Sequence, residues 1–343
     1  MDAGDHHVPV ATLAARRPSL GAEFRDYWGR APDKWLFLTL LAGWCVLFHV
    51  AGISSFNFKT LHPSLFEWLY HAWNEPAMDS SQGNLIPFVV AVLFWVRRRE
   101  LAASVSGVWW PGLGVVGLAL LIHVLGFLAQ QPRVSMFALF LGLYGLIGVV
   151  WGWRTMWEST FPMGLFAFCM PLGNFAEPVT LPLRMVSATW TRVFCHWVLG
   201  IGVVQQGTVL SDPSGKYNYD VAAACSGIHS FVALLALTTI FAMLTLRSLW
   251  RRMLMVLTTV PLVVFCNVLR LVVVVLIGRA YGEASGKWVH DWFGFVTYMA
   301  AIGALLGVAR ALREKPSRTQ GGFAQWLHKT GSFSFFRDSR RYG

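Results

Sequence analysis

Hydrophobic positions in this chain do not alternate with polar ones at the spacing of a surface helix or strand; they run together in long stretches almost free of charge. Eight such stretches are predicted as membrane spans: Trp35 to Ile53, Leu85 to Val96, Leu113 to Ala129, Val134 to Trp153, Phe161 to Leu172, Ser226 to Leu246, Met253 to Gly278, and Trp292 to Leu312. A bilayer core about 30 Å thick takes roughly 20 apolar residues per helix, and most of these stretches meet or approach that length. The second and fifth are short and carry Pro87, and Pro162 with Pro171, so tilting, kinking or partial re-entrance is expected there.

Between the fifth and sixth stretches the pattern changes. "EPVTLPLRMVSATWTRVFCHWVLGIGV" has Met185, Val186, Trp190, Val193, Phe194 and Trp197 near helical spacing, with Arg184 and Arg192 among them, which predicts a helix lying at the interface as a roof. "VVQQGTVLSDPSGKYNYDVAAAC" follows as a strand-like run, a "DPSG" turn and a second alternating run, which predicts a small hairpin ending at Cys225.

Composition agrees: 55% of the 343 residues are hydrophobic, only 13% are charged, and the mean hydropathy is +0.52, values that place the chain among membrane proteins. The net charge of +11 changes the picture only through its distribution. With both ends placed inside, 20 of the 28 Lys and Arg fall in inside tails and loops, seven fall outside, and Arg270 lies within a span. The positive-inside rule accounts for that bias, so no nucleic-acid partner is expected. The predicted organisation is an all-α polytopic membrane protein with about eight transmembrane helices, an extracytoplasmic interfacial helix and a small hairpin before the sixth. Residues 1–34 are an N-terminal cytoplasmic tail, 35–312 a multi-pass membrane domain and 313–343 a flexible basic cytoplasmic tail. The first stretch ends "HVAGIS" without a small-x-small cleavage site and is read as a retained anchor. Five cysteines without regular spacing give neither a disulfide framework nor a zinc pattern.

That topology collects three chemically capable residues on one side. Cys225 directly precedes the sixth span, at the positive end of a helix, where a thiolate is favoured; Ser226 and Gly227 leave the sulfur accessible. Arg270, in "FCNVLRLVVVV", lies eight residues before the end of the seventh span, about 12 Å below it, with Asn267 one turn away as a possible support. A guanidinium in that position costs several kcal/mol unless it has a partner or water, which marks it as functional. His290, in "WVHDWFGF", opens the eighth span, followed by Asp291. A thiol, an imidazole and a permanent cation supply a nucleophile, a general acid/base and an oxyanion stabiliser. Cys45, Cys169 and Cys266 lie within spans without such company and are read as packing residues; Cys195 could pair with Cys225.

These residues carry a resemblance. "ACSGIHS" at 224–230, "NVLR" at 267–270 and "HDWFG" at 290–294, with intervals of 45 and 20 residues from Cys to Arg to His, make the chain resemble the exosortase/archaeosortase family of multi-pass membrane transpeptidases. "GNLIPFVVAVLFWVRRREL" and "FPMGLFAFCMPLGNFAEPVTLPLRMVS" look like further family signatures, so the resemblance spans roughly Ser81 to Leu312. It implies an inner-membrane enzyme of the PEP-CTERM sorting type. Its partners would be the C-terminal sorting signals of exported proteins (a short motif, a transmembrane helix and a basic cluster) and an envelope acceptor nucleophile or water. Cys225 would form a thioester, His290 would protonate the leaving amine and Arg270 would hold the oxyanion, on the extracytoplasmic side. No cofactor and no metal is implied. The chain departs from the family at His229, where Arg is frequent, and at Gln82, where His is frequent. His229 shares a helical face with Cys225 and is an alternative base, or with His290 an alternative metal ligand without recognisable ligand spacing. Two other readings stay open: a transporter or polysaccharide-export permease using Arg270 to bind an anion, and an intramembrane protease using Ser226.

Overall fold

The computed structural model describes residues 19–54, 63–75, 80–173, 177–220 and 227–312; the side chains of Leu20, residues 227–230 and Asp291 are not described. Cys225 and Ser226 therefore lie outside the described residues, as do 1–18 and 313–343.

The first element, α1 (Leu20–Arg30), falls within the predicted tail and meets α2 (Lys34–Val50) at 95°. It is docked, because Arg98 pairs with Glu23 and stacks 4.2 Å over Trp95, and Arg99 Nε donates to the Tyr27 hydroxyl at 3.1 Å. Next come α3 (Leu65–Asn74), a 3₁₀ turn over Ser81–Asn84, α4 (Ile86–Val96) and α5 (Arg98–Ser104). Pro87 sits in the first turn of α4, where its missing N–H removes no helical bond, so it does not kink the helix.

The antiparallel neighbours α6 (Gly112–Leu128) and α7 (Pro132–Trp151) are followed by α8 (Trp153–Gly164) after Gly152, whose φ of +94° only glycine adopts without strain. The predicted fifth span is not one helix. Its first residues end α8, Pro162 lies inside that helix, and the chain tightens into a 3₁₀ turn over Leu165–Cys169. Residues Trp44, Phe48, Trp68, Ile86, Leu93 and Leu139 form the core of this half, and Ala236 from the C-terminal half packs into it.

The interfacial stretch forms α9 (Glu177–Trp197), facing opposite to a soluble amphipathic helix. Thr180, Ser187, Ala188, Thr191 and Cys195 are buried against the protein, while Val179, Trp190, Phe194 and Trp197 point outward. That is the orientation expected of a helix whose outer neighbour is lipid. Beyond it the predicted hairpin is a three-stranded antiparallel meander of β1 (Val204–Gln206), β2 (Val209–Ser211) and β3 (Asn218–Asp220). The strand-like run breaks at Gly207, whose φ of +62° at the first loop position matches the glycine-first two-residue hairpin turn. In the second turn the Asp212 carboxylate accepts from the Ser214 N–H (3.0 Å) and hydroxyl, bonds that hold it below the usual carboxylate range.

The C-terminal half contains α10 (Gly227–Thr245), α11 (Leu249–Leu257), α12 (Thr259–Tyr281) and α13 (Glu283–Ala311). α11 and α12 form one long rod, broken at Thr258 where Pro261 cannot donate back to residue 257. Gly282, with φ +88°, turns α12 straight into α13. The eighth helix thus starts nine residues before the predicted Trp292, and His290 is its eighth residue rather than part of its first turn. Glu283 in the first turn and the Lys287–Glu283 pair (2.6 Å, i,i+4) favour helix in a stretch whose polarity reads as loop.

Three helical stretches are long and apolar enough to cross a membrane: Pro132–Trp151, Leu249–Tyr281 and Glu283–Ala311. A fourth counts if α1 and α2 form one bent span, and three shorter apolar helices accompany them, Ile86–Val96, Gly112–Leu128 and Phe231–Thr245. The protein is a mostly helical polytopic membrane protein with one small sheet, and the number eight is not established by its helices.

Candidate active site

The connection at Gly282 is so short that α12 and α13 run back along each other in fixed register. Arg270, 12 residues before Gly282, faces Gly294, 12 residues after it. A Cβ at Gly294 would come within 2.9 Å of Arg270 Nη2 and 3.0 Å of its Cζ, so the missing side chain leaves the space the guanidinium occupies. The guanidinium reaches one turn further along α13 to His290. Arg270 Nε (3.1 Å) and Nη2 (2.8 Å) both donate to the His290 carbonyl, and Nη2 also meets His290 Nδ1 at 3.1 Å. A guanidinium only donates, so Nδ1 is the acceptor and the ring proton sits on Nε2. His290 is 5% exposed.

Below this pair lies a cavity of about 60 Å³ walled by α9, α10, α12 and α13, enough for a few waters. Its lining includes Thr180, Arg184, Ser187, Asn267, Arg270, Thr297 and Tyr298, and among the described residues no carboxylate lines it. Ser187 and Thr297 are satisfied by their own helices, through Leu183 O (2.9 Å) and Phe293 O (3.1 Å). Arg184 Nε and Thr180 Oγ1 are buried and have no hydrogen-bond partner among the described residues.

The predicted residues therefore divide. Arg270 and His290 are brought into direct contact. Asn267 lines the same cavity but does not bond to Arg270, whose hydrogen bonds go to His290. His229 is in the first turn of α10 and Asp291 follows His290 in α13, with side chains outside the description. Cys266, read as having no polar company, lies one turn below Arg270 and lines the cavity, within an apolar cluster with Leu234, Ala301 and Tyr298. Cys195 is a free thiol buried beneath the sheet with Tyr217 and Tyr219, and burial pushes it up to about 11.

Sequence reasoning missed Arg184 and Gly294. In the sequence Arg184 is an outside charge on the predicted interfacial helix with no role of its own, although its spacing of four from Thr180 puts both on the face of α9 that turns inward. Gly294 is quoted in "HDWFG" without a role. Gln82 sits in the 3₁₀ turn that packs on α10, and its Oε1 is buried without a partner among the described residues.

Helix register gives the height of the start of α10. Leu234 shares a cluster with Cys266 and Tyr298. From that level Gly227 is seven residues away along α10 and His290 eight along α13, about 10 and 12 Å at 1.5 Å per residue. The N-terminal turn of α10, whose first N–H groups have no partner within the helix, is thus level with the Arg270–His290 pair. The sheet closes the same end: a Cβ at Gly278 or Gly286 would collide with the Tyr219 hydroxyl, which donates to the Glu283 carbonyl at 3.2 Å.

Compared with known proteins, residues 73–307, well over half of the chain, match the family model described as "Transmembrane exosortase". No curated protein and no solved structure matches it.

Proposed function

We propose that this chain, which belongs to the transmembrane exosortase family, is a cysteine peptidase or transpeptidase that cuts exported proteins just ahead of a C-terminal membrane helix. The observation that carries this reading is the hydrogen-bonded Arg270–His290 pair, level with the helix start that follows Cys225. In this reading the site faces the extracytoplasmic side of the inner membrane, both termini are cytoplasmic, and the substrate presents a short motif, a hydrophobic helix and a basic cluster.

The contacts of the pair constrain the order of events. His290 must carry the thiol proton of Cys225 to the leaving amine, and an imidazolium has protons on both nitrogens. A protonated Nδ1 would face the Nη2 donor, so Arg270 has to release Nδ1 when the ring becomes charged. The developing oxyanion gives the guanidinium somewhere to go. Cys225 sulfur attacks the scissile carbonyl, Arg270 turns one N–H from Nδ1 to the oxygen, and the C–N bond breaks as His290 protonates the amine. A thioester remains. An envelope amine, hydroxyl or water then attacks it, His290 takes the proton of the attacking group, and the thiolate of Cys225 leaves.

The test is a tagged substrate ending in a hydrophobic helix and a basic tail, followed by immunoblot in cells carrying either the native chain or Cys225→Ala. The cleaved form should be absent with Cys225→Ala. Normal accumulation there would reject the peptidase and favour a permease in which Arg270 binds an anion, whereas loss only with Ser226→Ala would point to a serine enzyme.

A further inference from the structure

Arg270 is not the only cation in its cavity. Arg184 enters from α9, and one turn away Thr180, 4% exposed, presents a hydroxyl with no partner among the described residues, as is also true of Arg184 Nε. Two guanidiniums share a small, mostly apolar space in which no described carboxylate balances them. Charge held that way is costly, and it is retained where an anion arrives from elsewhere.

We propose that Arg184 and Thr180, beside Arg270, form an anion subsite that binds a carboxylate side chain of the substrate next to the scissile bond, which makes Arg184 a specificity-determining residue and leaves Arg270 to the oxyanion. The planar fork of arginine matches a carboxylate with two parallel N–H bonds, and the Thr180 hydroxyl adds a third donor. About 60 Å³ has room for a carboxylate and a water or two, and a peptide side chain can descend into it. A lipid phosphate cannot do so easily, because Arg270 lies about 18 Å along α12 from the Gly282 turn and the phosphate would have to leave the headgroup layer. The identity of the ligand as peptide rests on the function proposed above; the anion site itself does not.

Two measurements separate these dependencies. In the first, the full-length protein in detergent is melted in sodium acetate, sodium phosphate or sodium chloride at equal ionic strength. Acetate should raise the Tm of the native chain and of Cys225→Ala. The shift should disappear in Arg184→Gln and shrink in Arg184→Lys, which keeps the charge without the fork. An acetate shift that survives Arg184→Gln, a shift with phosphate alone, or no shift with either overturns the subsite. In the second, each Asp or Glu ahead of the substrate's hydrophobic helix is replaced singly by its amide. One replacement should slow processing by the native chain about tenfold and cause no further loss in Arg184→Gln. If every replacement is neutral while processing proceeds, the carboxylate assignment is wrong. If nothing is processed, the proposed function fails, and the acetate result still decides the anion site.

Discussion

The two halves of the molecule each hold half-buried arginine side chains, and they treat the charge differently. In the N-terminal half Arg97 bonds to Glu158 at 2.6 Å and to Glu100 at 2.9 Å, and Arg98 pairs with Glu23. In the C-terminal half Arg270 and Arg184 line a cavity without a described carboxylate, and Arg270 spends its donors on a carbonyl and an imidazole. The histidines repeat the contrast. His123 is 4% exposed, much like His290, but it sits among rings, with Phe48 4.4 Å and Phe127 6.2 Å away, and its Nδ1 has no partner among the described residues. Burial alone does not mark chemistry. What sets the C-terminal half apart is a cation held against an imidazole with no described carboxylate beside it.

The sharpest way to break the contrast is to make the same conservative change in both halves. Arg270→Lys keeps a cation but loses the donors that reach carbonyl and Nδ1 together, and processing in the substrate assay should fall about 100-fold. An unchanged rate would mean that charge alone suffices. Gly294→Ala is subtler: its methyl group must displace the guanidinium by a few tenths of an ångström, and processing should fall about tenfold with the protein still folded, as judged by its melting temperature. Arg97→Lys should leave the rate as it was and change stability by about 1 kcal/mol or less, because its partners Glu158 and Glu100 are themselves substantially exposed. A large loss of activity in Arg97→Lys would erase the distinction between the halves.

Much of this was legible in the sequence, because apolar length and an isolated intramembrane arginine are physical signals that survive without neighbours. The positions of α2, α4, α6, α7 and α10 follow the apolar stretches to within a few residues, and the meeting of Arg270 with His290 follows from two adjacent helices and a short turn. What was not legible depended on contacts at a distance. The polar "GEASGKWVH" hides two turns of helix, since its Glu283–Lys287 pair and the Gly282 turn outweigh its low hydropathy. The fifth stretch is apolar enough for a span, yet its prolines and its burial among other helices let it end in a 3₁₀ turn. Arg184 reads as an outside charge on the predicted interfacial helix until α9 is known to bury its small polar face. Gln206 and Val209 look like one strand until Gly207 reverses the chain.

The central claim is that the sulfur of Cys225 attacks substrate beside the Arg270–His290 pair, and trapping the intermediate tests it most directly. Membranes containing the native chain and substrate are acid-quenched, digested and searched by mass spectrometry for a hydroxylamine-labile adduct of the upstream substrate fragment. The account predicts that adduct on Cys225 and its loss in Arg270→Lys. Continued cleavage with no adduct, or an adduct on Cys266, would contradict it.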